Sequence, residues 1–179
     1  TSNTNEPSST SEETPKTEAA SGEAHVTTSE FTTVANIGQI QGEAHESPYN
    51  GKKVKVSNVV VTKTDRYGFY VQDLKADGNA KTSDAIYVVS KEKVAVGDQL
   101  TIEGQIKEGY MEELSVRPGQ TFRKPTDSLT VTQLFASKVT KNGTAALPAP
   151  VNISERMPKD IVDNTPTAYD PEHDALDYW

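Results

Sequence analysis

The feature that most constrains the fold is the stretch covering residues 51–65, which reads GKKVKVSNVVVTKTD. It begins with strict alternation of polar and apolar residues and then becomes a continuous run of valines. Alternation is typical of a half-buried β-strand, and the abundance of β-branched residues favours a strand over a helix. The change from alternation to a run predicts a long, bent strand that contains a β-bulge.

Four further segments have the composition of short strands and are separated by polar, turn-rich stretches. They are residues 66–73, residues 85–90, residues 99–106, and a region made of residues 128–135 with 138–140. Residues 111–126 show no regular pattern, so their strand pairing stays open. Five short strands with regular turns predict an all-β fold, a small five-stranded barrel, since a β-sandwich usually needs about seven strands. The prolines of residues 147–150 predict the end of the domain.

The chain divides into three parts by composition and charge. Residues 1–33, rich in Thr, Ser and Glu, predict a disordered linker, and residues 153–179 predict an acidic, irregular linker that leads into a following domain. Residues 34–152, the predicted folded domain, carry fifteen basic and thirteen acidic side chains, a net charge of +2, so the two ends carry −10 and the whole chain −8. A nearly neutral domain can bind a polyanion through a local basic stripe, without strong long-range steering.

The absence of cysteine and the small number of histidines limit the kinds of catalytic and metal-binding site that this chain can form. The sequence contains no cysteine, which excludes disulfides, thiolate zinc sites and cysteine nucleophiles. Its three histidines are His25, His45 and His173, and only His45 falls in the predicted domain. Acid–base and nucleophilic catalysis need partners held within hydrogen-bond reach, and one loop histidine does not supply them. We therefore predict a structural or exposed role for His45 and no catalytic site in this chain.

Several short motifs, in their order along the chain, resemble a known domain family. They include IQG at residues 40–42, AHESP at 44–48, GFYVQD at 68–73, DGN at 77–79, TSD at 82–84, VGD at 96–98 and LPAP at 147–150. This arrangement resembles the oligonucleotide/oligosaccharide-binding (OB) domain that precedes the endonuclease/exonuclease/phosphatase domain of large secreted, cell-wall-anchored bacterial deoxyribonucleases, with those of streptococci as the best match. The resemblance covers roughly residues 35–151, and residues 111–127 depart from it.

The resemblance implies an OB-type Greek-key barrel in a secreted or cell-wall-anchored protein of a Gram-positive bacterium. It further implies that the catalytic residues, with their divalent metal, lie in a downstream nuclease domain outside this chain. We accordingly expect a monomeric, non-catalytic accessory module that holds DNA for that domain, without membrane contact. Two alternatives stay open: a spacer or docking module that binds no DNA, and a module that binds carbohydrate or protein.

A binding surface for nucleic acid can be predicted from strand alternation. Single-strand binders combine basic side chains with aromatic rings on which bases stack, and OB folds carry this surface on their middle strands. With Phe69, Val71, Ile86 and Val88 assigned to the core, the two intervening tyrosines are predicted to face outward. The predicted surface consists of Tyr70 and Tyr87 for stacking, Lys55, Lys63 and Arg66 for phosphates, and a second basic edge formed by Arg117, Arg123 and Lys124.

One polar loop concentrates oxygen ligands. Asp73, Asp77, Asn79 and Asp84, together with Ser83, lie within twelve residues, and hard cations such as calcium take six to eight oxygens. The spacing does not match an EF-hand loop. We therefore predict no cofactor for this domain: turns in which Asp and Asn side chains cap their own backbone are the favoured interpretation, and calcium at this loop is the alternative.

Overall fold

A computed structural model of the chain describes residues 30–126, 128–150 and 152. These residues form mostly β-structure, which confirms the predicted all-β class. The elements are β1 (Thr32–Thr33), α1 (Ile37–Gln41), β2 (Lys53–Thr64), β3 (Gly68–Asp73), β4 (Ala85–Val89), β5 (Asp98–Gly109), a 3-10 helix (Met111–Ser115) and β6 (Val131–Thr144). The acidic linker and most of the disordered linker predicted from the sequence lie outside the described residues.

The strands form one mixed sheet in the order β1-β2-β3-β4-β6-β5, and β2 pairs additionally with β5. The pairings of the five longer strands therefore run in a cycle that returns to β2. Within this cycle β4 and β6 run parallel, whereas the other neighbours are antiparallel. β1 adds a short parallel pairing to β2 at Val54 and Lys55.

β2 has a neighbour on each edge. It pairs with β5 from Lys53 to Val60 and with β3 from Val59 to Thr64, and register shifts lie between Val56 and Val59 and between Val61 and Lys63. Asn58, inside the first shift, has a φ of 59°, a left-handed conformation that asparagine tolerates better than most residues. The predicted long, bent strand with a bulge is confirmed.

The predicted strand segments are found with shifted ends. Residues 128–135 and 138–140 belong to one longer strand, β6, which pairs with β5 along its whole length from Val131 to Thr144. The linker boundary predicted at residue 33 was placed too late, because β1 already pairs with β2 before it. Two threonines have no periodicity that could have marked this strand. Helix α1 was also not predicted; the Asn36 side chain caps its five residues by accepting a hydrogen bond from the Gln39 amide.

The core lies on one face of the sheet and is made almost entirely of Val, Ile and Leu side chains. Phe69, Val71, Ile86 and Val88 all belong to it, as the alternation predicted. From β5 it receives Leu100, Ile102 and Ile106, and α1 closes it with Ile37 and Ile40. On β3 to β6, the residues that alternate with these core positions point away from the core. We call the side that they form the outer face.

Gly104 of β5 lies against the backbone of β6 with no space for a side chain. It pairs with Ala136 at a register shift, and a Cβ atom at this position would overlap the carbonyl oxygen of Phe135. We predict that Gly104→Ala lowers the free energy of unfolding by about 1–3 kcal/mol, because the two backbones must separate. Urea unfolding of the full chain measures the change.

Gly109→Ala provides the matched control in the same strand. A Cβ atom there would meet the side chains of Glu113 and Gln133 at ordinary contact distances of 3.6–3.7 Å. We expect its effect to stay within about 0.5 kcal/mol, as for most substitutions that create no clash. Equal losses for both variants would contradict the close approach at Gly104.

Candidate nucleic-acid interface

The two tyrosines predicted to stack on bases are neighbours across β3 and β4. Tyr70 pairs with Tyr87 in register, and their ring centroids are 4.8 Å apart with the planes inclined by 60°. Tyr70 is half-buried. Tyr87 has only 1% of its surface exposed, so its prediction as a stacking surface is wrong. It lies outside the core cluster, on the outer face, but its neighbours cover it.

The hydroxyl group explains how a buried tyrosine is accommodated on this face. Tyr87 Oη donates a hydrogen bond of 2.7 Å to Asp65 Oδ1, so the buried polar group has a partner. Burial, followed by the nearby Asp65 carboxylate, raises the pKa of Tyr87 above its ordinary value. Tyr87 therefore stays protonated and keeps donating to Asp65 at any physiological pH.

Asp65 organises the turn between β2 and β3. Its Oδ1 atom also accepts hydrogen bonds from the backbone amides of Tyr67 and Gly68, at 2.8 and 2.9 Å. Burial acts to raise the pKa of Asp65, but these three hydrogen bonds and the nearby Lys63 together lower it below its usual range. The carboxylate is thus ionised at neutral pH, and the hydrogen bonds that it accepts from the Tyr67 and Gly68 amides stabilise the turn.

Two of the predicted phosphate-binding side chains lie next to half-buried tyrosine rings. The Lys63 ammonium is 5.8 Å from the centroid of the Tyr70 ring, and the Arg66 guanidinium is 5.5 Å from that of Tyr67. Both cations are exposed. Lys63 therefore lies beside Tyr70 and Arg66 beside Tyr67, and their part in binding stays a prediction.

Lys55 was predicted to belong to this group, and the structure contradicts that grouping. Eight residues separate it from Lys63 along β2, which is about 25 Å at the rise of a strand. It faces β5, where its Nζ atom is 3.1 Å from Glu103 Oε1. The prediction treated the lysines of β2 as one row, whereas Lys55 pairs with Glu103 of β5 and Lys63 with Tyr70 of β3.

A second aromatic site on the outer face was missed. Phe135 of β6 pairs with Val89 of β4 and Gln105 of β5. Its half-buried ring lies 5.5 Å from the Lys107 ammonium. A signal was available in the sequence: Leu134 and Phe135 are adjacent on a strand, so one of them had to face away from the core.

Tyr67, Tyr70 and Phe135, with the cations Lys63, Arg66 and Lys107, are called the aromatic platform below. Pairing register relates its parts: Tyr70 lies in one row with Tyr87, Gln133 and Lys107, and Phe135 lies in the adjacent row with Gly68 and Val89. At about 4.8 Å between neighbouring strands, the row from Tyr70 to Lys107 spans about 14 Å. Its two middle residues, Tyr87 and Gln133, are each only 1% exposed, so the row offers a ligand its two ends.

The predicted second basic edge lies in the segment between β5 and β6. Arg117, Arg123 and Lys124 are exposed there, and Lys124 Nζ is 5.9 Å from the Tyr110 ring. The segment starts close to the platform: Gln133 Nε2 contacts Met111 Sδ at 3.5 Å, and Lys107 Nζ lies 3.9 Å from Glu113 Oε1. The participation of the three cations in binding stays a prediction.

The oxygen-rich loop uses its side chains to hold the backbone. Asp77 accepts hydrogen bonds from the Asn79 amide and the Thr82 hydroxyl, and Asn79 Oδ1 accepts one from the Lys81 amide. Ser83 bonds to the backbone of Ala85. Among the described residues, no group of three or more His, Cys, Asp or Glu side chains is arranged to hold a metal ion. Calcium binding at Asp73, Asp77, Asn79 and Asp84 stays a prediction.

Asp73 has a structural task in the same loop. Its Oδ2 atom accepts a hydrogen bond of 2.8 Å from the Ile37 amide at the start of α1, and only 5% of the residue is exposed. Burial, together with the negative charges of Asp84 and Asp77, raises the pKa of Asp73 to about 7, although the hydrogen bonds from Ile37 and Gly38 oppose the shift. Burial also raises the pKa of Asp84.

His45 lines a cavity of about 260 Å³ with Ser83, Val131 and Thr132, among others. The Ser83 hydroxyl is already engaged with Ala85. The cavity is mixed in polarity and lies beyond Ala85, at the far end of β4 from the 65–68 turn. We assign it no part in the interface.

Comparison with known proteins adds no family to this picture. No protein-family model matches the chain, and no curated protein matches it significantly. In the part of the chain that the structure describes, no helix has the length and apolar character needed to cross a membrane.

The raised pKa of Asp73 predicts an unusual dependence of stability on pH. Since the folded state binds this proton more tightly than the unfolded state, the free energy of unfolding should fall as pH rises from about 4 to about 7, and level off above. A shift of this size corresponds to a loss of up to about 4 kcal/mol. Asp73→Asn keeps an acceptor for the Ile37 amide and should flatten that slope, as measured by urea unfolding across the pH range.

Asp98→Asn serves as the control. The hydrogen bond from Lys141 lowers the pKa of Asp98, so this carboxylate contributes no loss of stability between pH 4 and 7. Its replacement should leave the slope in place. A slope that persists unchanged in Asp73→Asn would contradict the assignment to Asp73.

Proposed function

We propose that β2 to β6 are the five strands of an OB-type Greek-key barrel. Support comes from the cycle of pairings, in which the third and fifth of these strands are parallel and the first pairs with both the second and the fourth. The outer face of the second and third strands and the two loops beside it form the usual ligand surface of such barrels. In this chain these parts are β3, β4, the 65–68 turn and the segment between β5 and β6.

We further propose that the domain binds single-stranded DNA on the aromatic platform. The observation that carries this proposal is the half-buried Tyr70 ring on the outer face, with the exposed Lys63 ammonium beside it. A ring of this kind can stack on a base while the adjacent cation contacts a phosphate. Phe135 with Lys107 repeats the same pair two strands away.

The charge around the platform favours a polyanion over a neutral ligand. Lys91 and Lys93 directly follow β4 and lie at the same end of the sheet as the 65–68 turn, because the Ser90 amide donates to the Tyr67 carbonyl. Residues 34–152 as a whole are nearly neutral, so affinity should be modest, and it should fall with salt at a slope set by the few phosphate contacts.

A weak site is useful if the same polypeptide carries a catalytic domain, because tethering raises the local concentration of substrate. Together with the family resemblance described above, this argues for an accessory, monomeric and non-catalytic module of a secreted or cell-wall-anchored deoxyribonuclease. The resemblance alone supports the nuclease, its divalent metal and its Gram-positive origin.

A spacer or docking module is the second candidate. Two ion pairs favour the spacer. Lys55 Nζ is 3.1 Å from Glu103 Oε1, and Lys141 Nζ is 2.6 Å from Asp98 Oδ1. Cations engaged in this way contribute less to phosphate binding. The two functions differ in one observable: a spacer has no salt-dependent affinity for DNA.

We predict that the full chain binds a short oligothymidine and that Tyr70→Ala weakens binding by about 1–3 kcal/mol through loss of stacking. Lys63→Ala should weaken binding and reduce the slope of log affinity against log salt by roughly 0.7, the value for one lost phosphate contact. Fluorescence anisotropy at several salt concentrations measures both quantities.

Matched variants separate these effects from nonspecific ones. Tyr70→Phe retains the ring and should bind as the wild type does. Lys75→Ala removes an exposed lysine beyond the opposite end of β3 and should leave the salt slope unchanged. If the wild type shows no binding at low salt, the platform proposal fails and the spacer function takes its place.

A further inference from the structure

The negative charge of Asp65 is unfavourable for the proposed function. Asp65 is an exposed carboxylate in the turn that carries Arg66 and Tyr67, directly beside the platform. A negative charge at this position repels phosphates, so it opposes the binding of DNA. On charge alone, a neutral residue would serve the site better.

The geometry of the turn supplies a reason for the carboxylate. One oxygen atom, Asp65 Oδ1, accepts hydrogen bonds from the Tyr87 hydroxyl and from the amides of Tyr67 and Gly68, all between 2.7 and 2.9 Å. The Asp65 amide in turn donates to the Gly68 carbonyl. The turn is thus closed by the backbone and fixed from within by the side chain.

Tyr87 connects this turn to the stacking ring. Its own ring packs against Tyr70 at 4.8 Å between centroids, while its hydroxyl reaches Asp65. Burial to 1% exposure leaves the side chain little freedom. A single rigid side chain therefore contacts both the ring proposed to stack on a base and the turn whose cation is proposed to bind phosphate.

We infer that Asp65 and Tyr87 are positioning residues of the proposed DNA site, which hold Arg66 and Tyr67 of the turn in fixed register with Tyr70. This inference rests on the proposed function. Preorganisation of this kind raises affinity because less conformational entropy is lost when the ligand binds. The benefit of the ordered turn then exceeds the repulsion by the Asp65 charge.

The sign of a charge-removing mutation tests the inference. If Asp65 acted through its charge alone, Asp65→Ala would strengthen the binding of oligothymidine. As a positioning residue it should do the reverse: we expect Asp65→Ala to weaken binding about three- to tenfold, as for the loss of roughly one net hydrogen bond. Asp65→Asn retains an acceptor oxygen without the charge and should bind at least as tightly as the wild type.

Tyr87→Phe tests the same inference at the donor end of the hydrogen bond to Asp65. It keeps the ring against Tyr70, removes only the hydroxyl, and should weaken binding and speed hydrogen exchange of the Tyr67 and Gly68 amides in the free protein. Tyr49→Phe removes another hydroxyl, one that accepts a hydrogen bond from Gln39 Nε2, far from the turn. It should change neither measurement. Urea unfolding verifies that each variant is folded.

The outcomes separate the inference from the function on which it rests. If the wild type binds oligothymidine but Asp65→Ala binds more tightly, the positioning role is overturned and the function stands. Unchanged affinity and unchanged amide exchange in Tyr87→Phe overturn it as well. If the wild type does not bind, both proposals fall together. Weaker binding of Asp65→Ala with rescue by Asp65→Asn supports the inference.

Discussion

The pairing of β2 on both of its edges is the constraint on which the rest of the structure depends. β2 pairs with β5 from Lys53 to Val60 and with β3 from Val59 to Thr64, so its middle residues have a neighbour on each side. Because β2 pairs with both strands, the pairings of the five longer strands return to it. The core of β-branched side chains on one face, and an outer face free for other tasks, follow from it.

The turn after β2 determines which side chains meet on the outer face. The turn returns the chain into β3, which places Tyr70 beside Tyr87 and leaves Lys63 next to the half-buried Tyr70 ring. Buried tyrosine, anchored aspartate and exposed cation then form one connected unit around the turn. The distribution of charge on this face is local, since the domain as a whole is close to neutral. Such a surface is suited to weak binding of an extended polyanion rather than to long-range attraction.

Local pattern in the sequence was enough for the five longer strands and for the core residues of β3 and β4. Alternation in β3 and β4 assigned Phe69, Val71, Ile86 and Val88 correctly, because period-two patterning depends only on neighbours in the chain. The local pattern gave wrong predictions where the burial or the grouping of a side chain depends on residues distant in the sequence. Tyr87 does lie on the outer face, but only the position of Asp65 and Tyr70 shows that it is buried. Lys55 and Lys63 share a strand, but the register shifts that separate them cannot be located from composition.

The central claim is that the aromatic platform is where single-stranded DNA binds. Two-dimensional NMR of the full chain titrated with oligothymidine tests it most directly, because each amide reports on its own surroundings. The account predicts shifts concentrated at residues 63–70, at Val89 and at Phe135, with the loop of residues 74–84 unaffected. Shifts confined to that loop, or none at low salt, would contradict it.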